Sequence, residues 1–428
     1  MAGAGASGAG LGFMRHRGPA QTQDAAQQAA DPNRMGQKLP DRWVASAREQ
    51  PYVRPGLWTI FATTCRECPA GCGMHVRVRE GRVVKCEGNP DHPVNRGGLC
   101  PRGQSAPQGL YDPDRVRGPL RRAGGAPRPG ILRQEPEGPR PEDEERPGSE
   151  RTALRRSNLV PPPPLPPGFE ALPWTQALSE VANALKTAKR LLVVSDAQTG
   201  TLAEIMQQFH QAVGLPGAVA FYETFDYEPL RTANQKLLGQ AAIPRYRLQE
   251  CDFLLSFGAE FLETWISNVE FAWQFAQMHH RGPEYRGQLA YIGPALSMTA
   301  ANADHYIQVP AGQEYRAAAA ILQEVARLRG APVSNGAAEL NPQSAIRDPQ
   351  LQEVARRFAS AKNAVALGGP VGAIGPAAEN LATAVMMLNR AVGAVGRVVD
   401  FSQTHALGRT TPVAQLEQML AELSSEDV

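Results

Sequence analysis

Cys65, Cys68 and Cys72 fall within eight residues, and Cys100 follows after 27 more, in Leu99-Cys-Pro-Arg-Gly103. Three thiolates at this spacing can wrap three corners of a cubane cluster, because the small residues Pro69, Ala70 and Gly71 let the loop fold back, and a distant Cys closes the fourth corner. The set suits one [4Fe–4S] cluster. Tetrahedral zinc is the alternative for four thiolates, but structural zinc usually takes two close Cys pairs, and Cys100 stands alone. Cys86 and Cys251 lie on apolar or alternating runs and read as small core residues. Arg66, Arg96 and Arg102 put three positive charges near the ligands in sequence, where they would offset an anionic cluster and raise its potential, unless they are ordinary loop residues. His75 and His92 lie close enough in sequence to tune a cluster through hydrogen bonds, against a default of solvated loop histidines. His279 and His280 close a helix, where capping of the C-terminal end outweighs metal binding.

The remaining composition narrows the class. Lys and Arg number 44 against 42 Asp and Glu, a formal charge of +2, which excludes nucleic-acid binding driven by bulk charge. No run of about 18 apolar residues exists, so no direct membrane span is expected and membrane contact would come through a partner. Four of the six cysteines crowd between positions 65 and 100, the pattern of metal ligands rather than of a disulfide framework. The first 14 residues are small and apolar, but their basic residues, Arg15, His16 and Arg17, come after them. A secretory signal has the reverse order, so there is no clear signal peptide and a cytoplasmic location stays open.

The elements that must position the thiolates follow from pattern. Residues 1–51 read as a disordered arm, and order starts near Tyr52. Residues 52–122 form a small β-rich domain: runs 75–79 and 82–86 alternate around Glu80-Gly81, a hairpin signal. Residues 123–168, with the charge block 142–146 and the Pro-rich run 161–167, cannot bury apolar area and read as a linker or insertion. Beyond it the texture is α/β. A helix capped by Thr175 leads to a strand at 191–194, then a helix at 200–213 and a strand at 218–221. Strands at 253–256, 288–292 and 306–309 and a helix at 266–279 follow, implying a parallel sheet covered on both faces within a first α/β domain, 169–330. A second, partial α/β domain spans 331–428, with helices at 351–360, 376–392 and 412–423 and one strand at 364–367. Its last helix carries a stripe of Val413, Leu416, Met419, Leu420 and Leu423, and no strand is expected after it. The last unit therefore reads as incomplete, to be finished by a second polypeptide. Gly368 to Gly372 has the character of a phosphate-cradling turn or of a close-packing one.

Four stretches carry a family resemblance. Thr64-Cys-Arg-Glu-Cys-Pro-Ala-Gly-Cys72, Glu87-Gly-Asn-Pro-Asp-His-Pro-Val-Asn95, Leu99-Cys-Pro-Arg-Gly103 and Gly109-Leu-Tyr-Asp-Pro-Asp-Arg115 resemble the N-terminal iron–sulfur domain of the molybdopterin oxidoreductases, the dimethyl-sulfoxide-reductase superfamily. Residues 253–265 and 291–302 are most similar to the iron–sulfur subunit of alternative complex III, a quinol-oxidising membrane complex. The resemblance implies a [4Fe–4S] domain followed by Rossmann-like α/β units. It also implies partners: further iron–sulfur, cytochrome c and integral-membrane quinol-site subunits, with membrane association through them on the periplasmic or outer face. It implies that the molybdopterin-like half works without molybdenum, and three departures agree. The 222–231 loop, where enzymes of the family offer a metal ligand, has no Cys and only Asp226 as a candidate. Arg102 stands where catalytic relatives commonly have a Lys between cluster and pterin. Gly258-Ala259-Glu260 puts an acid where an anionic cofactor would lie. The expectation is an electron carrier rather than a catalytic centre. A molybdenum or tungsten enzyme whose other half is on a separate chain and a zinc-stabilised, non-redox interaction module are the other readings.

Overall fold

The computed structural model describes residues 58–123, 168–225, 227–280, 287–330, 348–370 and 373–424. The expected arm, most of the Pro-rich segment, Asp226 and the turn residues Val371 and Gly372 lie outside these.

A small sheet comes first. β1 (Trp58–Thr64), β2 (Gly73–Arg79) and β3 (Arg82–Gly88) pair in that order. Glu80 and Gly81 have φ of 51° and 77°, so the expected hairpin turns through two left-handed residues, the geometry that matches strand twist. Helix α1 (Pro101–Leu110) follows, then an antiparallel ribbon of β4 (Leu120–Arg122) and β5 (Phe169–Ala171), which joins the two ends of the Pro-rich segment.

The chain then runs through α2 (Trp174–Thr187), β6 (Leu191–Asp196), α3 (Thr201–Val213), β7 (Gly217–Tyr222), α4 (Glu228–Leu238), β8 (Pro244–Tyr246) and β9 (Phe253–Phe257). It continues with α5 (Asn268–His279), β10 (Gln288–Gly293), α6 (Met298–Ala301), β11 (His305–Gln308), α7 (Glu314–Arg329), α8 (Pro349–Ser360) and β12 (Ala364–Gly368). The last elements are α9 (Pro376–Ala391), β13 (Val399–Thr404) and α10 (Val413–Ser424). No described helix is long and apolar enough to cross a membrane.

Four parallel strands form the main sheet in the order β11-β10-β9-β12. Every residue of β9 and β12 is buried, as a parallel sheet covered on both faces requires. This topology differs from the expected division at residue 330. β12, read as the start of a separate unit, lies beside β9 in the same sheet, because the apolar run that makes a strand does not encode which strand it joins. Conversely, β6 and β7 form a parallel pair of their own. The expected burial on both faces does not hold there. Neither α2 nor α3 has a fully buried side chain, and Leu178 and Val181 are more than half exposed. Thr175 is not the cap of α2: the helix starts one residue earlier, behind Pro173, whose φ is already fixed in the extended region.

β13 is a further correction. It follows the helix at 376–391, was not among the expected elements, and pairs antiparallel with β8 outside the main sheet. On α10, Leu416 is buried, whereas Val413 and Leu420 stay exposed. The helix is tied to the β6–β7 pair by the Arg190–Glu422 ion pair at 3.0 Å and, just before it, by the Thr411 N–H donating to the Phe221 carbonyl at 2.8 Å.

Two polar devices hold the main sheet. Asn389 of α9 is fully buried; its Oδ1 accepts from the Ala366 N–H at 2.8 Å and its Nδ2 donates to the Ala366 carbonyl at 2.9 Å, so an amide side chain completes the outer edge of β12. Asp252 accepts from the backbone N–H groups of Lys362 and Asn363 at 2.9 and 2.8 Å, which fixes the start of β12 against β9. Asn389→Leu strands two buried backbone groups and should cost about 2–4 kcal/mol in denaturant unfolding, with a loss below about 1 kcal/mol showing that water replaces the amide. Asp400 on β13 accepts from the Ser402 hydroxyl and N–H and pairs with Arg247, which together hold its carboxyl at about 2. Its stabilisation is present above the ordinary carboxylate range and is lost as pH falls through about 2. The melting-temperature gap between the wild type and Asp400→Asn should therefore be full near neutrality and close between about pH 4 and pH 2; a gap that does not change with pH would rule the account out.

Candidate iron–sulfur site

The 65–72 loop leaves β1 and re-enters the sheet at β2. Its ends are closed by the Cys65 N–H donating to the Cys72 carbonyl at 2.8 Å, and Gly71, at φ +64°, makes the reversal that a side chain would strain. Cys65 and Cys72 are buried and Cys68 is half-buried. Cys100 arrives from the other side as the residue capping the N-terminus of α1, followed by Pro101, whose missing N–H costs nothing in the first turn. A Cβ on Gly103 would stand 3.2 Å from the Cys65 sulfur and 2.7 Å from Leu99, so a glycine lets α1 approach the thiol loop.

The electrostatics place all four thiols in one neighbourhood. Burial first, and then the charges of Cys68, Cys65 and Cys100, push the Cys72 thiol up to about 12. Burial likewise raises Cys65, opposed by a backbone hydrogen bond from Glu67 and reinforced by Cys68 and Cys100. Four thiolates cannot gather here unless cationic charge offsets their repulsion and lost hydration, and the irons of a cluster supply such charge. The positive end of α1 beside Cys100 acts in the same sense. This donor set fits a [4Fe–4S] cluster held by Cys65, Cys68, Cys72 and Cys100. Among the described residues no three His, Cys, Asp or Glu side chains close on a single point in the manner of one metal ion.

The other candidates divide. Cys86 is buried in the same apolar cluster as Cys65 and Cys72, and the Cys65 charge adds to the burial that raises its thiol. Cys251 is fully buried in the main core, its sulfur 3.6 Å from the Arg247 carbonyl. Arg66 faces Asp196 at 3.7 Å, and Arg96 lies over the Trp273 ring at 3.8 Å. Arg102 lines a cleft of about 370 Å³ with Arg66, Cys68, Asp196, Glu223 and Tyr227. His92 packs on Gly73, where a Cβ would meet its ring at 2.4 Å, and His75 lies near the Glu87 carboxylate. His280 bonds the Ala276 carbonyl at 2.9 Å, the capping role expected of it.

Asp196, Glu223 and Tyr227 were not among the sequence candidates. Asp196 ends β6 and Glu223 follows β7, and the carboxyl ends of parallel strands are where α/β folds bind ligands, a signal available in the sequence. Burial and then Asp196 raise the Glu223 carboxyl, while a Thr224 backbone hydrogen bond and Arg102 pull it back. Tyr227 accepts from the Ile266 N–H at 3.0 Å; burial takes its hydroxyl to about 12. The 222–231 loop therefore does reach the cleft beside Cys68, with no thiol among its described residues.

A second cleft, of about 330 Å³, opens where β9, β10 and β12 end, lined by Gly258, Glu260, Pro294, Glu314, Tyr315 and Pro370. Burial and Glu263 raise Glu260, and among the described residues no Lys or Arg lines this cleft. An unbalanced acidic lining does not fit a pyrophosphate-bearing pterin nucleotide, which such crevices bind through N–H groups and cations. Gly368 is a packing glycine, since a Cβ there would meet Val385 at 2.5 Å.

The family model of the molybdopterin oxidoreductase Fe4S4 domain matches residues 58–112. The molybdopterin-binding-like subunit of a menaquinone reductase from Nitratidesulfovibrio vulgaris is 27% identical over 262 residues, covering 60% of this chain and 32% of its own. The molybdopterin-containing subunit of the arsenate respiratory reductase from a Shewanella species is 24% identical over 294 residues, covering 65% of this chain and 29% of its own. A solved structure, acetylene hydratase from Pelobacter acetylenicus, aligns with a TM-score of 0.47 at 17% identity over 78% of this chain and 43% of that one. The chain spans about a third of the length of the curated relatives it matches. Residues 58–112 thus match a molybdopterin oxidoreductase Fe4S4 domain, and the two relatives, similar over 60% and 65% of this chain, support the molybdopterin oxidoreductase superfamily.

Proposed function

We propose that this chain is an iron–sulfur electron-transfer subunit of a quinol-oxidising respiratory complex, its molybdopterin-type fold working without molybdenum. The observation that carries the reading is the convergence of Cys65, Cys68, Cys72 and Cys100 in one partly buried neighbourhood of a matched Fe4S4 domain. When bound, a [4Fe–4S] cluster supplies one-electron transfer. The four thiolates would hold it, the loop closed between Cys65 and Cys72 would exclude water from one side, and Arg102 and the start of α1 would favour its more negative state. Arg66 contributes less, since Asp196 answers its charge.

The acidic cleft around Glu260 and Glu314 supports the molybdenum-free reading, and Arg102 in place of Lys is consistent with it. The two curated relatives are subunits of reductases, one of menaquinone and one respiratory. They support a role beside partner chains: a second polypeptide sharing the molybdopterin-like fold, further iron–sulfur and cytochrome c subunits, and an integral-membrane quinol-site subunit. Such partners would hold the chain at the membrane, on its periplasmic or outer face.

Alanine at any one of Cys65, Cys68, Cys72 or Cys100 should remove most of the iron and acid-labile sulfide, measured per protein after reconstitution, while Cys86→Ala and Cys251→Ala keep both. Full content in Cys100→Ala would falsify the ligand set. Protein from its native host should contain neither molybdenum nor tungsten by elemental analysis and release no fluorescent pterin on oxidation. Either metal at one per chain, with pterin, would instead make the chain part of a catalytic enzyme.

A further inference from the structure

We propose that Asn95 is the positioning residue that fixes Cys100 relative to Cys72 and so sets the geometry and potential of the cluster; the proposal rests on the iron–sulfur reading. Asn95 touches no thiol. It is 1% exposed, and its Oδ1 accepts from the Gly73 N–H at 2.8 Å. Its Nδ2 donates to the Gly73 carbonyl at 2.8 Å and to the Gly98 carbonyl at 2.6 Å. Gly73 follows Cys72 directly and Gly98 lies two residues before Cys100. One amide therefore bridges the backbones that present the third and fourth ligands, which come from separate parts of the chain.

The backbone of Asn89 also links the two segments, its N–H donating to the Gly73 carbonyl and its carbonyl accepting from the Gly97 N–H, both at 2.9 Å, but Asn95 carries the side-chain bridge from Gly73 to Gly98. Arg96 and Gly97, immediately after Asn95, have φ of 44° and 91°, a sharp reversal that turns the chain towards Cys100. A non-glycine residue at positive φ is strained and needs its neighbours to hold it. The Arg96 guanidinium on Trp273 does so from outside, and the Asn95 amide does so from within. The loop is also packed backbone to backbone: a Cβ on Gly88 would lie 2.3 Å from the Gly97 carbonyl oxygen, and one on Gly98 would lie 2.7 Å from Val269. No side chain can enter to replace the amide, and no other described side chain bonds both Gly73 and Gly98. Groups that orient ligands from behind commonly change metal retention by about 10–100-fold when removed.

Asn95→Asp keeps the size and the acceptor but deletes both donated bonds; Asn95→Ala deletes all three. The full chain is reconstituted with iron and sulfide, and four quantities are compared with the wild type: far-UV circular dichroism, the rate of iron loss to a chelator, the EPR g-values of the reduced cluster, and its midpoint potential. In the apo chain, the alkylation rate of Cys100 by iodoacetamide reports its placement without any cluster. The expected result is an unchanged circular dichroism spectrum, iron loss at least about ten-fold faster, shifted g-values and potential in both variants, and faster alkylation of Cys100. Wild-type g-values, potential and iron-loss rate in both variants would overturn the proposal. So would loss of the folded spectrum in both, which would make Asn95 a residue of the fold alone. A wild-type chain that takes up no cluster would overturn the iron–sulfur reading and this role with it, a failure distinct from silent Asn95 variants in a chain that does.

Discussion

Four thiols brought together out of water repel one another as they ionise, and this repulsion is the constraint around which the N-terminal part is built. Burial and the charges of three further thiolates together take Cys72 to about 12. Neither a short loop nor a helix end could hold that arrangement alone. The chain answers with backbone: a Cys65–Cys72 hydrogen bond closing the loop, glycines at 71 and 103 where space is lacking, and a helix N-terminus directed at Cys100. Each device adds order or positive potential without bringing another anion among the sulfurs. Iron bound by these thiols would supply the positive charge that offsets their repulsion.

The same electrostatic logic separates the two clefts. Beside Cys68 the carboxylates Glu67, Asp196 and Glu223 share space with Arg66 and Arg102, so two cations offset most of the acidic charge. At the carboxyl ends of the main sheet the acids Glu260 and Glu314 line the cleft, with no Lys or Arg among its described lining residues. In a fold whose strand ends are the general place for a nucleotide, that difference matters. Cations offset the acids beside the thiols, whereas the acidic lining makes the cleft at the sheet's end unfavourable for polyphosphate. Arg102 is the residue the two questions share, since it lies two positions from a ligand and still pulls on the Glu223 carboxyl.

What could be read from the sequence followed the range of the interaction. The four thiols, the hairpin at Glu80-Gly81 and the strands at 253–257, 288–293 and 364–368 are local patterns: spacing, turn residues and apolar runs. β13 was missed because Asp400, Ser402, Gln403 and Thr404 make it polar, and its pairing partner β8 has only three residues. The sheet membership of β12 could not be read, because Asp252 and Asn389, which fix it, stand 110 and 23 residues from the groups they bond. Asp196 and Glu223 gain meaning only when β6 and β7 lie side by side and present both acids at one end. The separate pairing of those strands, with α2 and α3 left without a buried side chain, is a tertiary outcome that helical periodicity could not anticipate.

The thiol site is also less independent than a small domain of its own would be. The apolar cluster around Cys65, Cys72 and Cys86 is small, and β1 is exposed along its whole length, so little of its rigidity can come from its own core. Instead, the segment carrying Cys100 leans on α5: Arg96 stacks on Trp273 and Gly98 packs on Val269. α5 is in turn anchored by Phe271, whose ring lies 5.5 Å from that of the fully buried Trp265, itself 5.4 Å from Tyr246 of β8. Packed rings therefore anchor α5 to the main core, and α5 carries Val269 and Trp273, on which the segment before the fourth ligand leans. The segment that presents Cys100 therefore takes its stiffness from the α/β part rather than from a core of its own.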